Sequence, residues 1–160
     1  MTMQTSLRKA TRLSERGASA VEFAIVAPLL FFLLLAIVDV SVLFWVRLTM
    51  QHAVREGARY AVTGRDDFDP AAVNRQRHVA VIEKIKESSM GLFERVEPRI
   101  NGIAYGDPGG YQGGMFGISG QIWVLHIDCS WPLLTPMLQP FFLDGKYRFS
   151  VAAMMRNEAF

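Results

Sequence analysis

The sequence predicts an α+β chain: a long N-terminal transmembrane helix runs on into a small ectodomain, where an antiparallel sheet packs on it. Three observations predict this. Phe23 to Val38 reads FAIVAPLLFFLLLAIV without a charge, and apolar character resumes from Val40 to Val46 after Asp39. Helical spacing then persists to about Val62. Gln121–Trp131 and Tyr147–Met155 instead alternate with the period of a strand.

A span of about 20 apolar residues crosses a bilayer, so residues 23–46 suffice. The formal charge of +2 divides unevenly. Arg8, Lys9, Arg12 and Arg16 against Glu15 give the first seventeen residues +3, and the rest sums to −1. Basic residues before the span place the N-terminus in the cytoplasm and the bulk of the chain outside. The ectodomain has no cationic field of the kind that binds nucleic acid. A secretory signal peptide would have a shorter apolar region followed by a small-residue cleavage site, and Ala36-Ile37-Val38 is a poor version of one. An unprocessed signal anchor is the other competing reading. Pro28 lies inside the span, where it removes a helical hydrogen bond and predicts a kink or a partly unwound turn.

RGASAVEF, Arg16 to Phe23, puts small residues just before a glutamate and that glutamate just before the apolar run. A carboxylate costs about 2.5–3.5 kcal/mol at a bilayer centre and calls for a partner. Read from position alone, Glu22 is compatible with a headgroup-level site near a helix N-terminus. The motif also resembles the prepilin cleavage signal. That resemblance implies cleavage by an inner-membrane aspartyl peptidase between Gly17 and Ala18, with Glu22 as the fifth residue of the mature chain and Phe23 after it. It further implies that the new α-amino group of Ala18 pairs with Glu22 of a neighbouring subunit. Asp39, toward the outer face of the span, is either solvated at the interface or in contact with a neighbour's helix. Glu22, Pro28 and Asp39 are thus the candidate subunit-interface residues.

Beyond the membrane, VRLTMQHAVREGARYA, Val46 to Ala61, carries two stripes at four-residue spacing. Ala53, Gly57 and Ala61 are small and let a sheet or another helix approach closely, the sheet face that carries Trp123 being the partner expected. Arg47, Gln51, Arg55 and Arg59 form a polar stripe open to solvent or to an acidic partner. REGARYAVTGR, Arg55 to Arg65, is similar to the segment after the membrane helix in TadE-like proteins, pseudopilins of the tight-adherence (Flp, type IVc) pilus apparatus. The ending MMRNEAF, Met154 to Phe160, resembles that family's MRNEPF-like tail, with Ala159 in place of proline.

In the ectodomain, Gly64 ends the long helix, and Asp69-Pro70 suits the cap and first turn of a second one over about Pro70–Met90. The incomplete stripe Val73, Val81, Ile82, Ile85 places that helix on the domain surface. Asp66, Asp67 and Asp69 lack the glycine and distal glutamate of an EF-hand loop and read as capping residues. Residues 102–120 predict a glycine-rich loop with Tyr105, Tyr111, Met115 and Phe116 exposed for partner contact. Arg95–Asn101 predicts a third strand, and Asp144-Gly145 a turn before the last. Alternation sends Cys129 to the opposite face from His126 and Asp128, which separates the elements of a nucleophile pair. His52 and His78 add no metal-ligand spacing. Catalysis, metals and cofactors are therefore not expected, and a single cysteine leaves stability to packing.

The organisation expected is a cleaved cytoplasmic leader over 1–17, the transmembrane part of the helix over 18–46 and an extracytoplasmic domain over 47–160. The resemblance implies a pilin-like layout and a minor subunit that enters or primes the pilus. Its implied partners are the prepilin peptidase, the major and other minor pilins and the inner-membrane assembly platform. Two other readings are a bitopic envelope protein whose ectodomain binds without polymerising, and a type II secretion pseudopilin.

Overall fold

The structure, a computed structural model, describes residues 4–71, 73–106 and 114–159. The chain divides into two compact units, residues 1–40 and 41–160.

The first helix, α1, runs Gln4–Val62 and passes from one unit into the other. It begins well before the 18–46 segment expected to cross the membrane, because Gln4–Arg16 is rich in residues that favour helix and has no breaker. Helical structure also continues through Pro28, so the unwound turn expected there is absent from the backbone. In residues 19–40 large apolar side chains are exposed around the helix, Phe23, Ile25, Leu29 and Phe31 among them. The helix from Ser19 onward reaches a mean hydropathy of 2.7 and is long and apolar enough to cross a membrane. At its other end Gly64 adopts a left-handed φ of 69°, and the N–H groups of Thr63 and Gly64 donate to the carbonyls of Tyr60 and Ala61.

In the second unit α1 turns amphipathic. Val46, Met50, Ala53, Val54, Ala58 and Ala61 are buried at three- and four-residue spacing. The second helix, α2, covers only Arg77–Ser88. It starts seven residues later than expected because the Asp69 carboxylate closes a loop instead of capping a helix, accepting from the N–H groups of Ala71 and Gln76. Its place differs too: His78, Ala80, Val81, Ile82 and Ile85 are buried, so it belongs to the core, while Val73 lies before it and is exposed. The stripe looked incomplete because alanine and histidine complete the apolar face.

The sheet has the order β2-β1-β3-β4 and is antiparallel throughout. Its body is β3, Ile122–Pro132, paired with β4, Lys146–Arg156, in a register that sets Leu125 against Ala153 and Ile127 against Val151. The third strand expected over Arg95–Asn101 is reduced to β1, Arg99–Ile100, hairpinned to β2, Ile103–Ala104. A 3-10 turn over Glu94–Val96 and a left-handed Glu97, φ 46°, occupy the rest. One sheet face is core, with Trp123, Leu125, Ile127, Cys129, Phe149, Val151 and Ala153 buried beside residues of both helices. The turn at Asp144-Gly145 is present, both residues having positive φ.

Candidate processing and assembly site

Gly17, Ala18, Glu22 and Phe23 all lie within α1. Glu22 is five positions after Gly17, and position 18 precedes it by one helical turn, so positions 18 and 22 share a face. Gly17 is exposed, and a Cβ built on it meets nothing within 4 Å. Its value as a small residue therefore does not come from packing in the isolated chain. Glu22 and Phe23 are exposed, and Glu22 is the last charged residue before the apolar run. Pro28 is exposed as well. Asp39 differs: it is 3% exposed, against the solvated position that was one of its two expected placements. Hydropathy locates a carboxylate along a helix but not around it, and here the side chain is shielded in the single chain.

The helix–sheet packing residues are redistributed. Ala53, Gly57, Ala61 and Trp123 are all buried, but the residue that fits against Gly57 is Ile85 of α2. A Cβ on Gly57 would collide with Cγ1 of Ile85. The close approach predicted for the sheet is thus made at Gly57 by the second helix, because α2 is a core element. The polar stripe is corrected at one position: Gln51 Nε2 donates to the carbonyl of Ala152 at 3.0 Å and ties α1 to β4 instead of facing solvent. Arg47, Arg55 and Arg59 are exposed.

Two polar clusters that sequence reasoning missed hold the far end of α1. Asn157, in the RNEAF tail, is buried, and its Nδ2 donates to the carbonyls of Phe116 and Ile118. Its Oδ1 accepts from Trp123 Nε1 at 2.6 Å and from Arg77 at 3.0 Å. Arg77 also donates to the Ala61 carbonyl through both Nε and NH2, at 3.1 and 2.6 Å, and to that of Gly117 at 2.8 Å. Burial lowers the pKa of this guanidinium from its ordinary value. The only available signal was an asparagine in a strand-like tail, a poor strand residue that needs a reason to be there. In the second cluster Tyr60 donates to Asp67 at 2.7 Å. Burial, helped by that bond, raises the Tyr60 pKa to about 12, and the same bond lowers that of Asp67. These aspartates serve loop closure; among the described residues no acidic or histidine cluster suits a metal.

Of the loop residues expected at an exposed tip, Tyr111 lies outside the described residues. Phe116 is buried edge-on against Trp123, with ring centres 5.3 Å apart, which corrects its placement; Met115 is partly buried. Tyr105 stacks edge-on against Phe93. On β3, Cys129 is buried while His126 and Asp128 pair on the outer face at 3.1 Å. Burial, with a smaller effect from Asp128, pushes the Cys129 thiol up to about 12, which keeps it protonated and non-nucleophilic at neutral pH.

The model of the family described as TadE-like protein matches residues 17–59. No curated protein and no solved structure matches the chain. The match begins at Gly17, takes in Glu22 and the exposed apolar helix, and ends at Arg59 within REGARYA; it does not extend to the MMRNEAF tail. Over this segment, about a quarter of its length, the chain is similar to TadE-like proteins.

Proposed function

We propose that the chain is a minor pseudopilin of a tight-adherence (Flp, type IVc) pilus, made as a precursor and cut by a prepilin peptidase between Gly17 and Ala18. One observation carries the reading: the TadE-like segment coincides with an exposed apolar helix whose last charged residue before the apolar run is Glu22. In the inner membrane, with its N-terminus cytoplasmic and its ectodomain periplasmic, the helix would store the subunit until assembly. Cutting removes the +3 leader and leaves the apolar segment whole. The freed amine of Ala18 then neutralises Glu22 of a neighbouring subunit as helices bundle, offsetting the cost of bringing a carboxylate into an apolar surround. Pro28, exposed further along the helix, lies on the surface that neighbouring helices would meet. The chain's other partners in this reading are the major and other minor pilins and the membrane assembly platform, which it enters or primes.

Intact mass spectrometry of the protein recovered from membranes tests the proposal. A mature chain beginning at Ala18, and its loss in Gly17→Lys, is the expected result. A chain still beginning at Met1 beside its peptidase would mark a bitopic protein that is not processed, and one beginning near residue 39 would mark a signal peptide.

A further inference from the structure

The connection between β3 and β4, residues 133–145, reads LLTPMLQPFFLDG and has one charge, Asp144, paired with Arg148 at 3.2 Å. Its side chains divide sharply. Leu133 and Thr135 are buried and fix the connection to the unit, whereas Leu134, Met137, Phe141 and Leu143 point outward, Phe141 at 79% and Leu143 at 74% exposure. Apolar side chains of this size so close together on a surface mark a binding site. Part of the backbone is closed on itself. The N–H groups of Leu138, Phe141, Phe142 and Gly145 donate to carbonyls three residues back, that of Leu133 donates to Gly145, and Pro136 and Pro140 have none to satisfy. Gln139 Nε2 caps the Leu133 carbonyl. Each polar group met internally lowers the cost of leaving water.

Two hydrogen bonds fix which end of the unit carries it. Gln51 meets Ala152, and the Glu158 N–H donates to the Val62 carbonyl, so β4 runs parallel to α1. From Ala152 back to Lys146 the strand covers about 20 Å at about 3.3 Å per residue. From Gln51 back to Ser41 the helix covers only about 15 Å at 1.5 Å per residue. The connection therefore caps the end of the unit at which α1 enters it, and the residues that precede Ser41 in the chain are the apolar, membrane-spanning ones.

We infer that Met137, Phe141 and Leu143, with Leu134 beside them, insert into the lipid surface of the membrane that holds α1, as a second, shallow attachment of the ectodomain. Insertion to the headgroup boundary, about 5–10 Å deep, needs apolar side chains on a satisfied backbone with little charge, which this connection supplies. The inference rests on reading α1 as a membrane anchor.

The test uses the full chain in vesicles of phosphatidylethanolamine and phosphatidylglycerol. Single nitroxides are attached at Phe141→Cys and Leu143→Cys, with Met137→Cys as a third position; all three side chains are exposed, so replacement spares the core, and buried Cys129 stays unlabelled. Phe31→Cys reports the anchor, and Ile118→Cys reports the opposite end of the sheet, beside Asn157. Collision with oxygen should exceed collision with a water-soluble nickel chelate several-fold at 31, 141 and 143, and the order should reverse at 118. Labels at 141 and 143 that behave like 118 while 31 lies in lipid would overturn the insertion and leave the anchor standing. Labels shielded from both reagents would overturn it in favour of a protein contact. A label at 31 in water would overturn the anchor and the inference with it.

Discussion

Trp123 Nε1 donates to Asn157 Oδ1 at 2.6 Å, and this one acceptor also takes a hydrogen bond from Arg77. Strand β3, helix α2 and the tail after β4 therefore meet at a single buried amide. Asn157→Leu should destabilise the ectodomain, since it strands the buried indole N–H at about 1–3 kcal/mol and removes one donor each from the Phe116 and Ile118 carbonyls, which keep those of Arg77 and Gln121. Asn157→Asp keeps the acceptor but turns the Nδ2 donor into a second acceptor facing those carbonyls, and should be nearly as damaging. Thermal unfolding of the detergent-solubilised chain, followed by tryptophan fluorescence, measures both.

Gly57 and Ile85 form the second test. Gly57→Ala forces Ile85 to move and should cost about 1–3 kcal/mol by overpacking. Ile85→Ala, which removes the Cγ1 that a Cβ on Gly57 would strike, should alone cost about 2–5 kcal/mol. Combined, the two should cost less than their sum, because the smaller side chain makes room. Strict additivity in chemical denaturation would show that something other than Ile85 limits the space.

Glu22→Ala tests assembly apart from insertion. It makes the helix more apolar and leaves Gly17 and Ala18 intact, so processing and membrane insertion should proceed. Incorporation into pili should fall at least tenfold in immunoblots of sheared fibres, and wild-type levels would remove the charge-pairing step from the mechanism.

Alkaline pH should weaken the ectodomain in a defined window. The Cys129 thiol is raised from 9.0 and the Tyr60 hydroxyl from 10.0, each to about 12, mainly by burial. Between those limits the unfolded chain has released protons that the folded chain keeps, so stability is whole below about pH 9 and declines toward pH 12. Tyr60→Phe loses the bond to Asp67 at neutral pH but should flatten the upper part of that decline. Cys129 should react with aromatic disulfides at pH 8 only after denaturation.

Much of this architecture follows from local pattern. The end of α1 near Gly64, the inward face of β3 and the turn at Asp144 are set by residues close in sequence, through the helical period, strand alternation and positive φ. What local pattern could not reveal depends on distant partners. Asp69-Pro70 has the composition of a helix start, yet its carboxylate closes a loop onto Gln76. Gly57 signals close approach but cannot say whether a sheet or α2 approaches. Phe116 sits among glycines and reads as exposed until Trp123 covers it. At the membrane end the stretch from Gly17 to Phe23 is contiguous and falls within the family match, whereas the burial of Asp39 was not legible.

The closure at residues 157–158 also governs when the ectodomain can form during biosynthesis. The core helix supplied early, up to Val62, gains its stabilising partners only after Arg77, Trp123, Asn157 and Glu158 have been made. Contacts this distant in sequence delay folding, since loop closure must precede them. An export intermediate halted anywhere short of residue 157 would present the buried face of α1, from Val46 to Ala61, without its covering sheet. Such a chain would be exposed to proteases and chaperones until the rest of β4 and its tail had joined it.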